Sequence, residues 1–143
     1  MKWQELAATS HYRTAIAVKQ ALQRGDMHEA ILGLEELIDA LSRADQRALE
    51  HHLIRLMQHL IKWKVQPEGR SRCWVATIYN AREAIRELQE DTPSLTDDRI
   101  RHRWDTCLRK AHREAEGDID RDIPQMGVSW EEVFEAAYTL AAN

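Results

Sequence analysis

The residues best suited to chemistry are a pair of adjacent carboxylates and one imidazole. Glu35 and Glu36 lie in one predicted helix, and His59 lies in the next, which a short connection joins to it. A carboxylate that faces an imidazole can hold a metal ion or carry out general acid–base catalysis. The alternative is a hydrogen bond that fixes the register of two packed helices. Because ionisable clusters mark functional sites only in some cases, the structural alternative is favoured.

Motifs typical of metalloenzymes and nucleotide-binding enzymes do not occur in the chain. HExxH, a glycine-rich phosphate loop and CxxC are all absent. His52 and His59 would lie about 10.5 Å apart along a helix axis, which is too far for one metal ion. Cys73 and Cys107 lack the spacing of metal ligands and are predicted to be reduced and buried. We therefore predict no metal and no cofactor, and catalysis is not the favoured function.

A cluster of cations and tryptophans surrounds a predicted turn at Pro67 and Gly69. Its members, here called the pivot cluster, are Lys62, Trp63, Lys64, Arg70, Arg72 and Trp74. Cations beside tryptophans can bind an anion or an acidic stretch of a protein partner. The simpler and favoured alternative is that the Lys and Arg stems cover the edges of the indole rings. Because paired Trp and Arg residues also mark interface anchors, the pivot cluster is the candidate binding surface.

Two apolar ladders flank this turn and must position the pivot cluster. The first ladder is Leu49, Leu53, Leu56 and Leu60, and the second is Trp74, Ile78, Ala81, Ile85 and Leu88. Steps of three and four residues are the period of a helix that buries one face. Pro67 ends the first helix, and the hydroxyl of Ser71 can cap the second. The pattern predicts a central antiparallel helix hairpin.

The remaining segments predict about four further helices and no strand. The apolar faces expected to be buried in the first two helices are Tyr12, Ala15, Val18 and Leu22, then Met27, Ile31, Leu34, Ile38 and Leu41. Ser42 with Asp45 can cap a separate third helix, and Ser129 with Glu132 forms a capping box for a last helix that reaches Leu140. Residues 117–128 are predicted to be a loop. The predicted fold is an all-α, single-domain bundle of about six helices over residues 1–143.

The composition is that of one ordinary globular domain. The 143 residues are 43% hydrophobic and 31% charged, and the net charge of −4 argues against nucleic acids and anionic membranes as partners. No apolar run approaches the ~20 residues of a membrane span, and no signal-peptide pattern begins the chain, so a cytoplasmic location is predicted. Residues 99–113 are basic and residues 114–122 are acidic. We expect the acidic segment to fold back onto the basic helix.

Residues around the turn resemble the signature of the domain of unknown function 29 family. The matching positions are His59 to Trp63, Gln66-Pro67, Arg70 to Arg72, Trp74, Thr77-Ile78, Arg82 and Pro93 to Leu95. Glu35-Glu36 and Ile123-Pro124 extend the resemblance to about residues 20–140. Leu108 and His112 depart from it, because the resemblance leads us to expect a Tyr and an Arg there. It implies a small bacterial all-helical protein and brings no biochemical activity with it.

One further motif places Arg47 five residues before His52. This spacing is similar to the catalytic motif of HEPN ribonucleases, and the resemblance implies RNA cleavage with His52 as the proton shuttle. The alternative is a solvated helix face. The favoured function is a non-catalytic interaction or regulatory module that binds a protein partner or forms a homo-oligomer through the pivot cluster. A metal or acid–base site at Glu35, Glu36 and His59 is the second hypothesis, and HEPN-like RNA cleavage or nucleic-acid binding is the third.

Overall fold

The fold is mostly helical over the residues that the computed structural model describes, which are 2–140. Its α-helices are α1 (Trp3–Thr9), α2 (His11–Gln23), α3 (Met27–Val65), α4 (Arg72–Asp91), α5 (Asp97–His102), α6 (Trp104–Ile119) and α7 (Trp130–Phe134). A short 3-10 turn, Pro67–Gly69, joins α3 to α4. Residues 2–140 contain no strand and no helix long and apolar enough to cross a bilayer. The all-α class is confirmed, with seven α-helices in the described residues rather than about six.

The helix boundaries before α7 differ from the prediction at three places. Two helices, α1 and α2, precede α3 where one was predicted, and Ser10 separates them: its hydroxyl accepts a hydrogen bond from the Arg13 amide at 3.1 Å and caps α2. The second and third predicted helices form one continuous helix, α3, which passes through Ser42 and Asp45. A capping residue ends a helix only where the backbone leaves helical geometry, and the Ala and Leu residues around this pair favour continuation. The predicted basic helix of residues 99–113 is divided at Arg103 into α5 and α6.

The chain divides into two compact units, Met1–Arg47 and Ala48–Asn143. In the first unit, α1, α2 and the beginning of α3 surround a small core composed of Trp3, Ala17, Val18, Ala21 and Ala30. The Trp3 indole lies flat against Gly33, where an added Cβ would be 2.6 Å from the ring. The indole Nε1 also donates a hydrogen bond to Glu29 at 2.7 Å. Small side chains therefore allow α3 to approach α1 closely.

The buried face of α3 in the first unit is not the predicted one. The residues expected to be buried are exposed, namely Met27, Ile31, Leu34, Ile38 and Leu41, and the buried positions are instead Ala30, Gly33, Leu37 and Ala40. In α2, Val18 is buried as predicted, whereas Tyr12, Ala15 and Leu22 are exposed. The α3 segment carries two apolar stripes with helical spacing, one of large and one of small residues. The buried stripe consists mostly of small residues, and at Gly33 the Trp3 ring leaves no room for a side chain.

One larger core occupies the second unit, and both predicted ladders contribute to it. Leu49, Leu53, Leu56 and Leu60 of α3 belong to the same buried cluster as Ile78, Ala81 and Ile85 of α4, with Trp74 and Leu88 packed against it. Cys107, Ala111 and Ala115 from α6 and Val133 from α7 complete its centre. Burial of both ladders in one cluster is what a helix hairpin requires. Their antiparallel crossing stays a prediction.

Side-chain hydrogen bonds to the backbone hold the segment between α6 and α7 and cap the end of α7. The segment is held by His112, whose Nε2 donates to the Ile123 carbonyl at 2.8 Å. The predicted capping box begins α7 at Ser129, but the helix ends at Phe134 instead of reaching Leu140. Its last carbonyls are taken by Arg82, which donates to the carbonyl oxygens of Val133 at 2.7 Å and Glu132 at 3.1 Å. A guanidinium at this end replaces the next helical turn as the hydrogen-bond donor.

Candidate functional site

The pivot cluster is only partly buried: Lys62 and Trp63 are buried, Trp74 is half-buried, and Lys64, Arg70 and Arg72 are exposed. Lys62 is only 7% exposed, and its Nζ donates to an Asp118 carboxylate oxygen at 2.9 Å. The same ammonium lies 5.0 Å from the centroid of the Trp74 ring. A buried ammonium needs such a partner, because an unpaired charge in the interior is costly. Lys62 therefore ties α3 to the end of α6.

Trp63 is part of the core, and Arg70 covers it. Trp63 is 8% exposed, and its ring meets Tyr138 edge-to-face at 5.4 Å between centroids. The Arg70 guanidinium carbon lies 4.5 Å from the Trp63 ring centroid, and Arg70 Nε donates to the Trp63 carbonyl at 2.9 Å. This is the arrangement in which an Arg stacks on an indole from the same chain. Arg72 is exposed at the start of α4, so that the cluster is divided between the interior and the surface. A role of the pivot cluster in binding stays a prediction.

The predicted partners Glu35, Glu36 and His59 do not lie on two packed helices. All three belong to α3, with about six helical turns between Glu36 and His59. The predicted geometry is therefore wrong, because the expected helix break at Ser42 does not occur. Within residues 2–140 no group of three or more His, Cys, Asp or Glu side chains is arranged to hold a metal ion.

The pKa values of His59 and Asp118 are both lowered, for different reasons. Partial burial lowers the pKa of His59, and its Nδ1 donates to the Arg55 carbonyl at 2.9 Å. The hydrogen bond from Lys62 lowers the pKa of Asp118, and Gln58 donates a further bond to the same carboxylate at 2.6 Å. The acidic segment thus pairs at Asp118 with α3. The charge pattern predicts an acidic segment that folds back onto the basic helix. Instead, α6 itself continues through the first acidic residues as far as Ile119, and Asp118 pairs with α3.

The two cysteines differ in exposure. Cys107 is buried, and this burial, together with the negative charge of Glu50, raises the pKa of its thiol to about 11. A thiol with so high a pKa remains protonated and unreactive near neutral pH. Cys73 is exposed, so that the prediction of a buried thiol is correct for Cys107 and wrong for Cys73.

A cavity that sequence reasoning missed lies between α3 and α4 in the second unit. It has a volume of about 280 Å³ and is lined by His52, Arg55, Thr77, Asn80, Ala81 and Ala84. Partial burial lowers the pKa of His52, and the neighbouring basic groups His51 and Arg55 lower it further. His52 and Arg55 are one helical turn apart, as are Thr77 and Asn80. That spacing is the sequence signal for two polar pairs on the facing helices. Arg47 of the proposed ribonuclease motif is exposed and does not line the cavity.

The exposed large apolar residues are concentrated in the first unit. Of ten such residues within positions 2–140, eight belong to it: Tyr12, Leu22, Met27, Ile31, Leu32, Leu34, Ile38 and Leu41. Five of these, Met27, Ile31, Leu34, Ile38 and Leu41, follow one another at steps of four, three, four and three along α3, and we call them the heptad stripe. Their exposed fractions lie between 42% and 61%. Continuous exposed apolar surface of this kind is typical of an interaction site.

The helices and the exposed stripe define an all-α protein with a candidate interaction face on its longest helix. The family model "Domain of unknown function DUF29" matches residues 15–139, and the chain belongs to this family. The family resemblance of the sequence is thereby confirmed. Searches of curated proteins and of solved structures each found no match. The family description carries no activity, so that function has to be argued from this chain's own surfaces.

Proposed function

We propose that this protein is a non-catalytic interaction module that associates with a second copy of itself through the heptad stripe. The observation that carries the proposal is the half-exposure of five large apolar side chains in a strict heptad register on α3. The register implies a helical partner, because a 3.5-residue repeat matches the seam between two helices. The binding surface proposed is therefore α3 of the first unit and not the pivot cluster.

The residue types along the stripe support a two-stranded arrangement. Ile31 and Ile38 occupy one heptad position, and Met27, Leu34 and Leu41 occupy the other. In parallel coiled coils, β-branched residues at the first position with Leu at the second favour two strands over three or four. A stripe of this composition is self-complementary about a two-fold axis, as the interface of a homodimer must be. A second copy is for this reason the occupant to which the proposal commits.

The energetics predict a dimer of moderate affinity. Burying a whole Leu, Ile or Met side chain contributes about 1.5–3 kcal/mol, so that five half-exposed side chains contribute roughly 4–8 kcal/mol in each copy. Two copies together contribute roughly 8–15 kcal/mol. Association costs about 4–15 kcal/mol in lost translational and rotational freedom. Because the two ranges overlap, the dimer population should depend strongly on protein concentration.

Sedimentation velocity over a wide concentration range tests this proposal. We expect the wild-type protein to change from monomer to dimer, and the double variant Ile31→Lys with Ile38→Lys to remain monomeric. The matched control is Tyr12→Lys, which places the same charge at a position that is 75% exposed and outside the stripe. Circular dichroism should show equal helicity in all three proteins, since every substituted side chain is solvent-accessible.

Two results would contradict self-association through the stripe. One is a wild-type protein that stays monomeric at the highest concentration. The other is a lysine double variant that dimerises as well as the Tyr12→Lys control does.

A further inference from the structure

The cavity between α3 and α4 of the second unit owes its space to small residues. Ala81 and Ala84 line it at positions where a larger side chain would fill the volume of about 280 Å³. Its remaining lining groups are the polar side chains His52, Arg55 and Thr77, with Asn80 beside them. A cavity of this kind has room for more than a single inorganic ion. The polar groups decide which ligand it would hold.

The charge around the cavity is positive and uncompensated. No carboxylate lines it, and the charged neighbours of His52 are His51 and Arg55, which are both basic. The rings of His51 and His52 lie 5.8 Å apart between centroids. Some arginines of the second unit have carboxylate partners, as Arg103 has in Glu50 at 2.8 Å and Arg101 has in Asp98 at 3.3 Å. Arg55 makes no such ion pair among the described residues. An anion from outside the chain would supply the missing negative charge.

We propose that this cavity binds the phosphate group of a small phosphorylated molecule. Arg55 supplies the permanent positive charge and several N–H donors, His52 supplies an imidazole N–H, and Thr77 a hydroxyl. The Asn80 amide adds two further N–H donors. A phosphate has three peripheral oxygens, which match donors from four side chains better than the two oxygens of a carboxylate do. The part of the molecule that carries no phosphate would lie against Ala81 and Ala84.

Two-dimensional NMR with inorganic phosphate as the probe tests the proposal at fixed pH. We expect phosphate to shift the Asn80 side-chain amide and the His52 imidazole resonances in a saturable manner. Sodium chloride and sodium acetate, added at the same ionic strength, should leave both sets of resonances nearly unchanged. Equal shifts with all three salts would overturn the proposal, because they would report general screening.

Three variants locate the binding. Arg55→Gln removes the charge and Ala84→Leu fills the cavity without altering charge, and each should weaken phosphate binding at least tenfold. Arg109→Gln removes an exposed arginine of α6 outside the cavity and should leave binding unchanged. Circular dichroism and dispersed amide spectra establish that each variant is folded. If Ala84→Leu in a folded protein binds phosphate as the wild type does, or if Arg109→Gln weakens binding as much as Arg55→Gln, the cavity is not the site.

Discussion

The tie at His112 offers the sharpest test of how the second unit is held together. His112 is buried on α6, and its Nε2 donates to the Ile123 carbonyl at 2.8 Å. Glu116, one turn later, accepts from the Ile123 amide at 2.8 Å. The two α6 side chains thus satisfy both backbone groups of one buried residue after the helix. The segment that leads to α7 depends on this pair for its path.

Replacing His112 with Ala should destabilise the second unit by about 2 kcal/mol. The change leaves the buried Ile123 carbonyl without its donor, and an unsatisfied buried polar group costs about 1–3 kcal/mol. In urea the slope of the unfolding free energy is about 1–3 kcal/mol per molar for small proteins, so that the midpoint should fall by roughly 1 M. Hydrogen exchange at the Ile123 amide should quicken at the same time, because the segment can then separate from α6 without global unfolding.

The matched control is His102→Ala, which removes the same side chain from an exposed position on α5. Such surface changes usually alter stability by less than about 0.5 kcal/mol. Urea unfolding followed by circular dichroism compares the two variants with the wild type. The reasoning is refuted if His112→Ala and His102→Ala shift the midpoint equally, or if exchange at Ile123 is unaffected by the loss of His112.

Two further predictions concern close packing and pH. Gly33→Ala should displace the Trp3 ring, which a shift of the Trp3 indole N–H resonance would report. It should also lower stability, because the overpacking cost of about 1–3 kcal/mol exceeds the helix-propensity gain of about 1 kcal/mol. Gly117→Ala, where an added Cβ meets open space, should show the gain alone, and equal behaviour of the two variants would contradict this. The lowered pKa of Asp118 contributes stability above the ordinary aspartate pKa of about 3.9 that is lost as pH falls through the folded value. The difference in unfolding free energy between wild type and Lys62→Met, measured by urea unfolding, should therefore shrink on acidification. A difference that does not change with pH would refute the contribution of the Lys62–Asp118 pair.

The helix pattern was predictable where one periodic stripe dominates. Both ladders of the second unit enter one core, in which Met57 and Ile61 widen the buried face of α3. Capping chemistry was reliable at Ser71 and Ser129, whose hydroxyls accept from the amides of Trp74 and Glu132. It failed at Ser42, since a cap residue within a helix-favouring sequence does not by itself stop a helix.

The candidate sites were less predictable because they depend on tertiary partners. From the sequence, Lys62 is expected to be an exposed cation. It is buried because it pairs with Asp118, which lies 56 residues later in the chain. His112 occupies a position where the family resemblance leads us to expect an Arg. Its role becomes clear only from its hydrogen bond to the Ile123 carbonyl. The cavity at His52 exists because of two alanines on another helix. In each case the deciding residue is distant in sequence, where local pattern carries no information.

The first part of α3 shows why apolar periodicity identifies a helix but does not say which face is buried within the chain. Its buried stripe is Ala30, Gly33, Leu37 and Ala40, and the Trp3 ring lies too close to Gly33 for a larger residue there. The larger and more hydrophobic heptad stripe then faces outward. Large side chains at a regular seam would cost solubility without benefit if nothing covered them. A single helix that packs by small residues on one side and presents large ones on the other is suited to join its own unit to a second helix. The same double stripe that misled the burial prediction is therefore the strongest argument for association.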